Sequence, residues 1–181
     1  MSKIKFGTDG WRAIIADEFT VQNVARITYA TGEWIKQNFN ENLSVVIGHD
    51  CRFAGDLFMK TAAKVLVSQG IKVYQANSII TTPMISLGAK ELNACVGIVL
   101  TASHNPPSYN GFKLKGHYGG PLTSDKITEV EQLIPDENIV DLNAVELSEM
   151  EQKGLIESVD LEEMYMDKIK SSFDLDAIKN S

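Results

Sequence analysis

The chain has 181 residues, of which 44% are hydrophobic and 23% charged, values usual for a globular protein with one ordinary domain. The sequence contains no run of about 18 apolar residues, which a membrane span would need. Its first residues also lack the apolar stretch of a signal peptide. We therefore expect a cytoplasmic protein without a membrane partner. The net charge is −7, yet residues 1–124 carry 12 Lys/Arg against 8 Asp/Glu, without the dense basic patch that nucleic-acid binding usually needs.

The first half of the chain alternates between helical and strand periodicity. Residues 20–39 place apolar side chains along one stripe and predict a helix with Thr20 as its N-cap. Residues 43–48 form a short apolar run that predicts a buried strand. A second helix is predicted over residues 55–69, and Gly70 would end it.

The second half continues this alternation of strands and helices. The predicted elements are a strand over 71–76, a helix from Pro83 to about Leu92, a buried strand over 94–102, a strand over 112–116 and a helix from Ser124 that ends before Pro135. Such alternation predicts an α/β fold, a three-layer α/β/α sandwich with a mostly parallel, mixed sheet.

The last part of the chain predicts a connector followed by one helix. Residues 136–160 indicate a connector with short elements, and Asp160 with Glu163 forms a capping-box arrangement. The helix that follows would have an apolar stripe that includes Leu161 and Ile169. Because no long segment follows to cover this stripe, we expect the natural chain to continue.

The two cysteines, Cys51 and Cys95, are far apart, and each lies beside or within an apolar segment. This arrangement predicts reduced thiols and not a disulfide framework. No Cys/His spacing resembles a zinc site.

Ser103 lies in a stiff loop that follows a predicted buried strand, in the stretch "VLTASHNPPSYNGFKLKG". In parallel sheets ligands bind beyond the carboxyl ends of the strands, so this loop lies at the functional edge. Pro106 and Pro107 restrict the backbone, and Asn110-Gly111 predicts a turn. A fixed, exposed serine suits a nucleophile or a phosphate carrier, but composition alone favours an ordinary turn serine.

Three residues near Ser103 are candidates for supporting roles. Lys113 and Lys115 would lie on the same face of a strand, where one of them could reach the loop and act on a proton or a phosphate, and Lys115 is expected on a solvated face. His104 is adjacent in sequence, but neighbouring side chains usually diverge and no G-x-S-x-G elbow occurs. A serine hydrolase is therefore a weak alternative.

Two further motifs carry candidate anion ligands. In "FGTDGWR", residues 6–12, two glycines bracket a predicted tight turn, and Arg12 could contact a phosphate or carboxylate in a bidentate manner. In "GHDCRFAG", residues 48–55, Asp50 or Arg52 could fix the start of a helix or hold an anion. For these two residues we favour the structural role.

Together, "TASHNPPSYNGFK" and "FGTDGWR" resemble the phosphoserine loop and the amino-terminal motif of the α-D-phosphohexomutase family. The resemblance implies that residues 1–150 form that family's first domain, and that residues 151–181 are a linker and the first helix of a truncated second domain. The form "PPSYNGFK" favours the glucose and mannose mutases within the family.

The resemblance also implies a role for each candidate residue. Ser103 would be the phosphoserine that exchanges phosphoryl groups with a hexose phosphate through a hexose 1,6-bisphosphate, which also acts as activator. Lys113 would transfer a proton, with Arg12 and His104 in support, and Mg²⁺ would bind the phosphate of Ser103. The family's other magnesium ligands and sugar-selecting loops belong to later domains, so we expect this fragment to be inactive alone. A non-catalytic domain that binds phosphosugars or a partner protein is the alternative.

Overall fold

The computed structural model describes residues 4–7 and 10–179, and the predicted turn at Thr8-Asp9 lies outside the described residues. The strands are β1 (Trp11–Ile14), β2 (Ser44–His49), β3 (Lys72–Ala76), β4 (Val96–Leu100), β5 (Tyr109–Gly116) and β6 (Ile156–Val159). The helices are α1 (Val21–Asn38), α2 (Gly55–Ser68), α3 (Thr82–Glu91), α4 (Ser124–Gln132), α5 (Leu147–Gln152), α6 (Leu161–Ser172) and α7 (Leu175–Lys179).

The six strands form one mixed sheet in the order β1-β5-β4-β2-β3-β6. Strands β4, β2, β3 and β6 run parallel to one another, whereas β5 is antiparallel to both β4 and β1. Because β2 and β4 are parallel neighbours, with His49 opposite Leu100, the loops after these strands leave the sheet side by side. The predicted α/β fold with a mostly parallel, mixed sheet is confirmed.

Two cores cover the two faces of the sheet and produce the three layers. The larger core lies under α1, α2 and α4 and includes Trp34, Phe58 and Phe112. The second lies under α3 and α6 and includes Ile85 and Leu161. Burial of apolar side chains on both faces explains why β2 and β4 are almost continuously apolar in sequence.

Helix α1 shows how local sequence sets an element's start and its buried face. The Thr20 side chain accepts a hydrogen bond from the Asn23 amide at 3.2 Å, which satisfies one unpaired amide of the first turn. The predicted stripe of this helix, from Val24 to Ile35, is buried. Both the predicted cap and the predicted face are therefore confirmed.

Three expectations for the ends of the sheet differ from the structure. The segment after Gly10, predicted only as a turn, forms edge strand β1. The connector predicted over residues 136–160 contains β6, which pairs with β3. The helix after Asp160 has a partner in α3, since Leu161 is buried and packs close to Gly88. The predicted linker after residue 150 is thus part of the same sheet, and the assignment of α6 and α7 to a second domain stays a prediction.

The cysteines differ in environment. Cys51 is exposed and Cys95 is buried, and neither forms a disulfide. Burial of Cys95 in apolar surroundings raises the pKa of its thiol above the usual value. No helix within residues 4–7 and 10–179 has the length and apolar character required to cross a bilayer.

Candidate active site

The serine loop, residues 101–108, lies between β4 and β5 at the carboxyl edge of the parallel strands. The turn after β2, residues 50–54, leaves the sheet beside it because β2 and β4 are neighbours. The Asp50 amide donates a hydrogen bond to the Leu100 carbonyl at 3.1 Å, which joins the two segments at their base. The structure therefore brings the two predicted motifs around Ser103 and Arg52 together.

Ser103 is exposed and has a φ of +56°, in the left-handed region that non-glycine residues rarely adopt. Its amide donates to the hydroxyl oxygen of Thr101 at 3.0 Å. Its carbonyl oxygen accepts a hydrogen bond from the Arg52 Nη2 at 2.9 Å. Because such a conformation persists only when its surroundings hold it, the backbone of Ser103 is fixed while its hydroxyl faces solvent.

Asp50 supports the serine loop from below through its carboxylate. Thr101 is buried, and its hydroxyl donates a short hydrogen bond to Asp50 Oδ2. The same oxygen lies 3.4 Å from Arg52 Nε, and Asp50 Oδ1 accepts from the Arg52 amide at 3.0 Å. A hydroxyl bonded to a charged acceptor is held more firmly than one bonded to a neutral acceptor. Two successive hydrogen bonds, from Ser103 to Thr101 and from Thr101 to Asp50, therefore connect the serine to the end of β2.

Arg52 contacts the serine loop with both of its terminal nitrogens. Nη1 donates to the carbonyl oxygens of Pro106 and Tyr109, at 2.8 and 2.9 Å. Nη2 donates to those of Ser103 and Asn105, at 2.9 and 2.7 Å. The helix start that we expected Asp50 or Arg52 to fix has no side-chain cap, and Arg52 holds the serine loop instead. The sequence contained no spacing signal for this contact, because Arg52 and the loop are about fifty residues apart.

The register of β1 and β5 places three basic residues on one face of the sheet. Arg12 lies opposite Gly111, and Lys113 and Lys115 follow on the same face because side chains alternate along a strand. Arg12 Nη1 donates to Asn105 Oδ1 in the serine loop at 2.8 Å. The two lysines are only 4% and 6% exposed, so the solvated face predicted for Lys115 is wrong.

His104 is exposed and lies beside Ser103. Within the described residues no hydrogen bond joins its ring to the Ser103 hydroxyl. A nucleophilic serine needs a base within hydrogen-bond reach, so the geometry gives the hydrolase alternative no support.

Asn110 and Gly111, predicted as a turn, lie within β5 instead, so that prediction is wrong. The Gly111 carbonyl accepts from the Thr101 amide at 2.9 Å, and its amide donates to Asn110 Oδ1 at 2.8 Å. A Cβ on Gly111 would lie 2.4 Å from the Thr101 carbonyl oxygen and 3.0 Å from that of Trp11. Glycine is needed here because the backbones of two other segments pass close to it. The turn was predicted because Asn and Gly are also the residue types that favour turns.

We expect Gly111→Ala to lower the free energy of unfolding by about 1–3 kcal/mol or more, because backbone atoms must move to admit the methyl group. Chemical denaturation measures the loss. Gly7→Ala is the matched control, since among the described residues its Cβ would meet only the Gly10 carbonyl oxygen at 3.6 Å, an ordinary contact. Equal stability of the two variants would contradict this account of β5.

A cleft of about 350 Å³ opens beside the serine loop, and Cys51, Phe53 and Pro107 line it together with Ser103. A larger cavity of about 500 Å³ lies between α1, α2 and residues 138–147. Its lysines serve the fold, since Lys64 donates to the Leu142 carbonyl and Lys60 pairs with Asp56. We place the candidate site at the smaller cleft because it contains the fixed, exposed serine.

Metal ligands are sparse in the part of the chain that the structure describes. No group of three or more His, Cys, Asp or Glu side chains there is arranged to hold an ion. Asp50 is engaged with Thr101 and Arg52.

Comparison with known proteins identifies the fold and its relatives. Residues 3–139 match the family model described as phosphoglucomutase/phosphomannomutase, alpha/beta/alpha domain I. A phosphoglucomutase/phosphomannomutase from Thermococcus kodakarensis is 34% identical over 96% of this chain and 37% of its own length. A phosphoglucosamine/phosphogalactosamine mutase from Sulfurisphaera tokodaii is 33% identical over 96% of this chain and 36% of its own length.

A solved structure, described as that of a phosphomannomutase from Thermus thermophilus, has a TM-score of 0.86 and 36% identity, covering 97% of this chain and 37% of the other. The chain thus spans little more than a third of the length of the relatives that it matches. The predicted resemblance is confirmed: the chain belongs to the phosphoglucomutase/phosphomannomutase family, and its residues 3–139 match the α/β/α domain I of that family.

Proposed function

We propose that this chain is the phosphoserine domain of a mutase that interconverts a hexose 1-phosphate and a hexose 6-phosphate. Glucose and mannose phosphates are the proposed substrates. The observation that carries the proposal is Ser103 itself, exposed at the carboxyl edge of the sheet and fixed through both its amide and its carbonyl. A group that gives and takes back a phosphoryl unit must keep its position in both steps.

In the proposed cycle the phosphoryl group on Ser103 Oγ moves to the 6-hydroxyl of hexose 1-phosphate. The Oγ–P bond breaks, a new O–P bond forms, and the sugar becomes hexose 1,6-bisphosphate. After the bisphosphate turns over in the site, its 1-phosphoryl group returns to Ser103, which leaves hexose 6-phosphate. Free hexose 1,6-bisphosphate acts as activator because it loads an unphosphorylated Ser103.

Lys113 is the proposed proton-transfer residue for the reacting hydroxyl. Its position on the same sheet face as Arg12, which contacts the serine loop, supports this role. Arg12 would stabilise the phosphoryl group from the same face, and it already contacts the serine loop through Asn105. His104, exposed beside Ser103, would support the transfer at the open side of the loop.

Mg²⁺ is the proposed metal, held by the phosphate on Ser103 and by ligands outside the described residues. When bound it would offset negative charge on the phosphoryl group. We also propose that this chain needs the further domains of its relatives for turnover, because it spans 37% of the length of the Thermococcus protein.

The test is a mutase assay of the full gene product, followed by ³¹P NMR with hexose 1-phosphate, a trace of the 1,6-bisphosphate and Mg²⁺. We expect hexose 6-phosphate to form with glucose or mannose phosphate, and the 181-residue chain alone to give none. Failure of the full product to convert either sugar phosphate, or any other hexose phosphate offered, would overturn the proposed function.

A further inference from the structure

Both terminal nitrogens of Arg52 are engaged in hydrogen bonds within the protein. A guanidinium group has five N–H donors and no acceptor. Four of them are directed at the carbonyl oxygens of the serine loop, at distances from 2.7 to 2.9 Å. The fifth, on Nε, faces Asp50 Oδ2 at 3.4 Å. An arginine beside a phosphate carrier would ordinarily be assigned to the phosphate, but both terminal nitrogens of this one already donate to backbone carbonyl oxygens.

The serine loop needs such a partner because its own backbone cannot pair regularly. Pro106 and Pro107 have no amide hydrogen, and Ser103 has a left-handed backbone that disfavours any side chain. Within the loop only two hydrogen bonds join backbone atoms of the described residues, from Asn105 to Ala102 and from Tyr109 to Pro106. The planar guanidinium group of Arg52 donates hydrogen bonds to the carbonyl oxygens on the inner side of the loop.

We propose that Arg52 is a positioning residue for Ser103. It fixes the loop backbone and thereby the direction of the Ser103 hydroxyl, and it does not contact the transferred phosphoryl group. This inference rests on the proposed function. It predicts a kinetic signature in which the chemical step slows while binding of the sugar phosphate changes little, because displacement of a reacting atom by about 1 Å costs about a hundredfold in rate.

The experiment compares Arg52→Lys with Arg26→Lys in the full gene product. A lysine has one compact ammonium group and no planar fork, so it cannot serve four carbonyl oxygens. Arg26 is a matched control, since it is buried and donates to the Pro135 carbonyl at 2.7 Å and to Asn23, away from the serine loop. For each variant we would measure kcat, KM and the amide hydrogen exchange of the peptide that contains Ser103.

For Arg52→Lys we expect kcat to fall about a hundredfold with KM within about threefold of the unmodified protein, and exchange in the serine loop to rise. Arg26→Lys should change neither kcat nor exchange in this loop. A large rise of KM with kcat unchanged would show that the guanidinium binds substrate and would overturn the proposal. Identical behaviour of the two variants would also overturn it, because Arg52 would then be a general structural residue.

A second variant keeps the test decisive if Arg52→Lys does not fold. Asp50→Asn retains the four contacts of Arg52 to the loop but removes the charge that faces Nε and Thr101. We expect faster exchange in the loop and a loss of kcat of about tenfold, and no change in either quantity would contradict the proposal. Absence of phosphate on Ser103 after the unmodified protein is incubated with hexose 1,6-bisphosphate and Mg²⁺ would instead overturn the proposed function, while the exchange data would still report whether Arg52 holds the loop.

Discussion

Replacing Ser103 by Ala in the full gene product is expected to reduce mutase turnover by about a thousandfold or more, because the variant has no oxygen to carry the phosphoryl group. Folding should hardly change. The Ser103 side chain is exposed, and the contacts that fix the residue come from its amide and carbonyl, which alanine retains. Steady-state kinetics and thermal unfolding measure the two effects.

Ser108 provides the matched control for this change, since it is an exposed serine in the same loop. Ser108→Ala should keep nearly normal turnover. Near-normal turnover of Ser103→Ala would rule out Ser103 as the phosphate carrier. A loss of folding in Ser103→Ala would show that its hydroxyl has a structural role that the geometry does not indicate.

Replacing Lys113 by Met should reduce kcat by about a hundredfold to ten-thousandfold, the usual contribution of a positioned proton-transfer group. Methionine retains the length of the lysine stem, so it fills the same space on the sheet face. We therefore expect turnover to fall while the packing on this sheet face is kept. Steady-state kinetics would measure kcat and KM, and thermal unfolding would check that the variant keeps its stability.

Lys115 offers a close control, since it lies on the same strand and face and is similarly buried. Lys115→Met makes the same change at a similarly buried lysine and should lower kcat by less than about tenfold. Equal losses in both variants would contradict the specific role proposed for Lys113. They would indicate that buried charge on this face matters for stability alone.

Much of the fold could be predicted because its signals are local. The apolar stripe of α1 and the Thr20 cap follow from helical periodicity and capping chemistry. Strands β2 and β4 are apolar throughout because both faces of the sheet are covered. Strands β1 and β6 were missed because each has only four residues, and such short segments contain too few alternations to show a period.

The sequence indicated the position of the serine loop but not the residues that hold this loop in place. Ser103 stood out because a buried strand ends in a proline-stiffened loop at the functional edge. Its residue types alone favoured an ordinary turn serine, and only the family resemblance implied a phosphate carrier. The Arg52 contacts depend on the pairing of β2 with β4, which brings distant segments together and leaves no mark in either segment alone. The environment of Lys115 was predicted wrongly because its side chain is buried in the fold. The alternation of side chains predicts which face of the strand a residue lies on, but not whether another element covers that face.

The most direct test of the account is top-down mass spectrometry of the native gene product from its source cells. It reports the chain length and any phosphate on Ser103 in one measurement. Because this chain covers 37% of the Thermococcus relative, we expect a mass roughly two to three times its 20.0 kDa, with phosphate mapped to Ser103. A product of about the mass of this chain, without phosphate on Ser103, would contradict the account, and a domain that binds phosphosugars or a partner without catalysis would then be the better description.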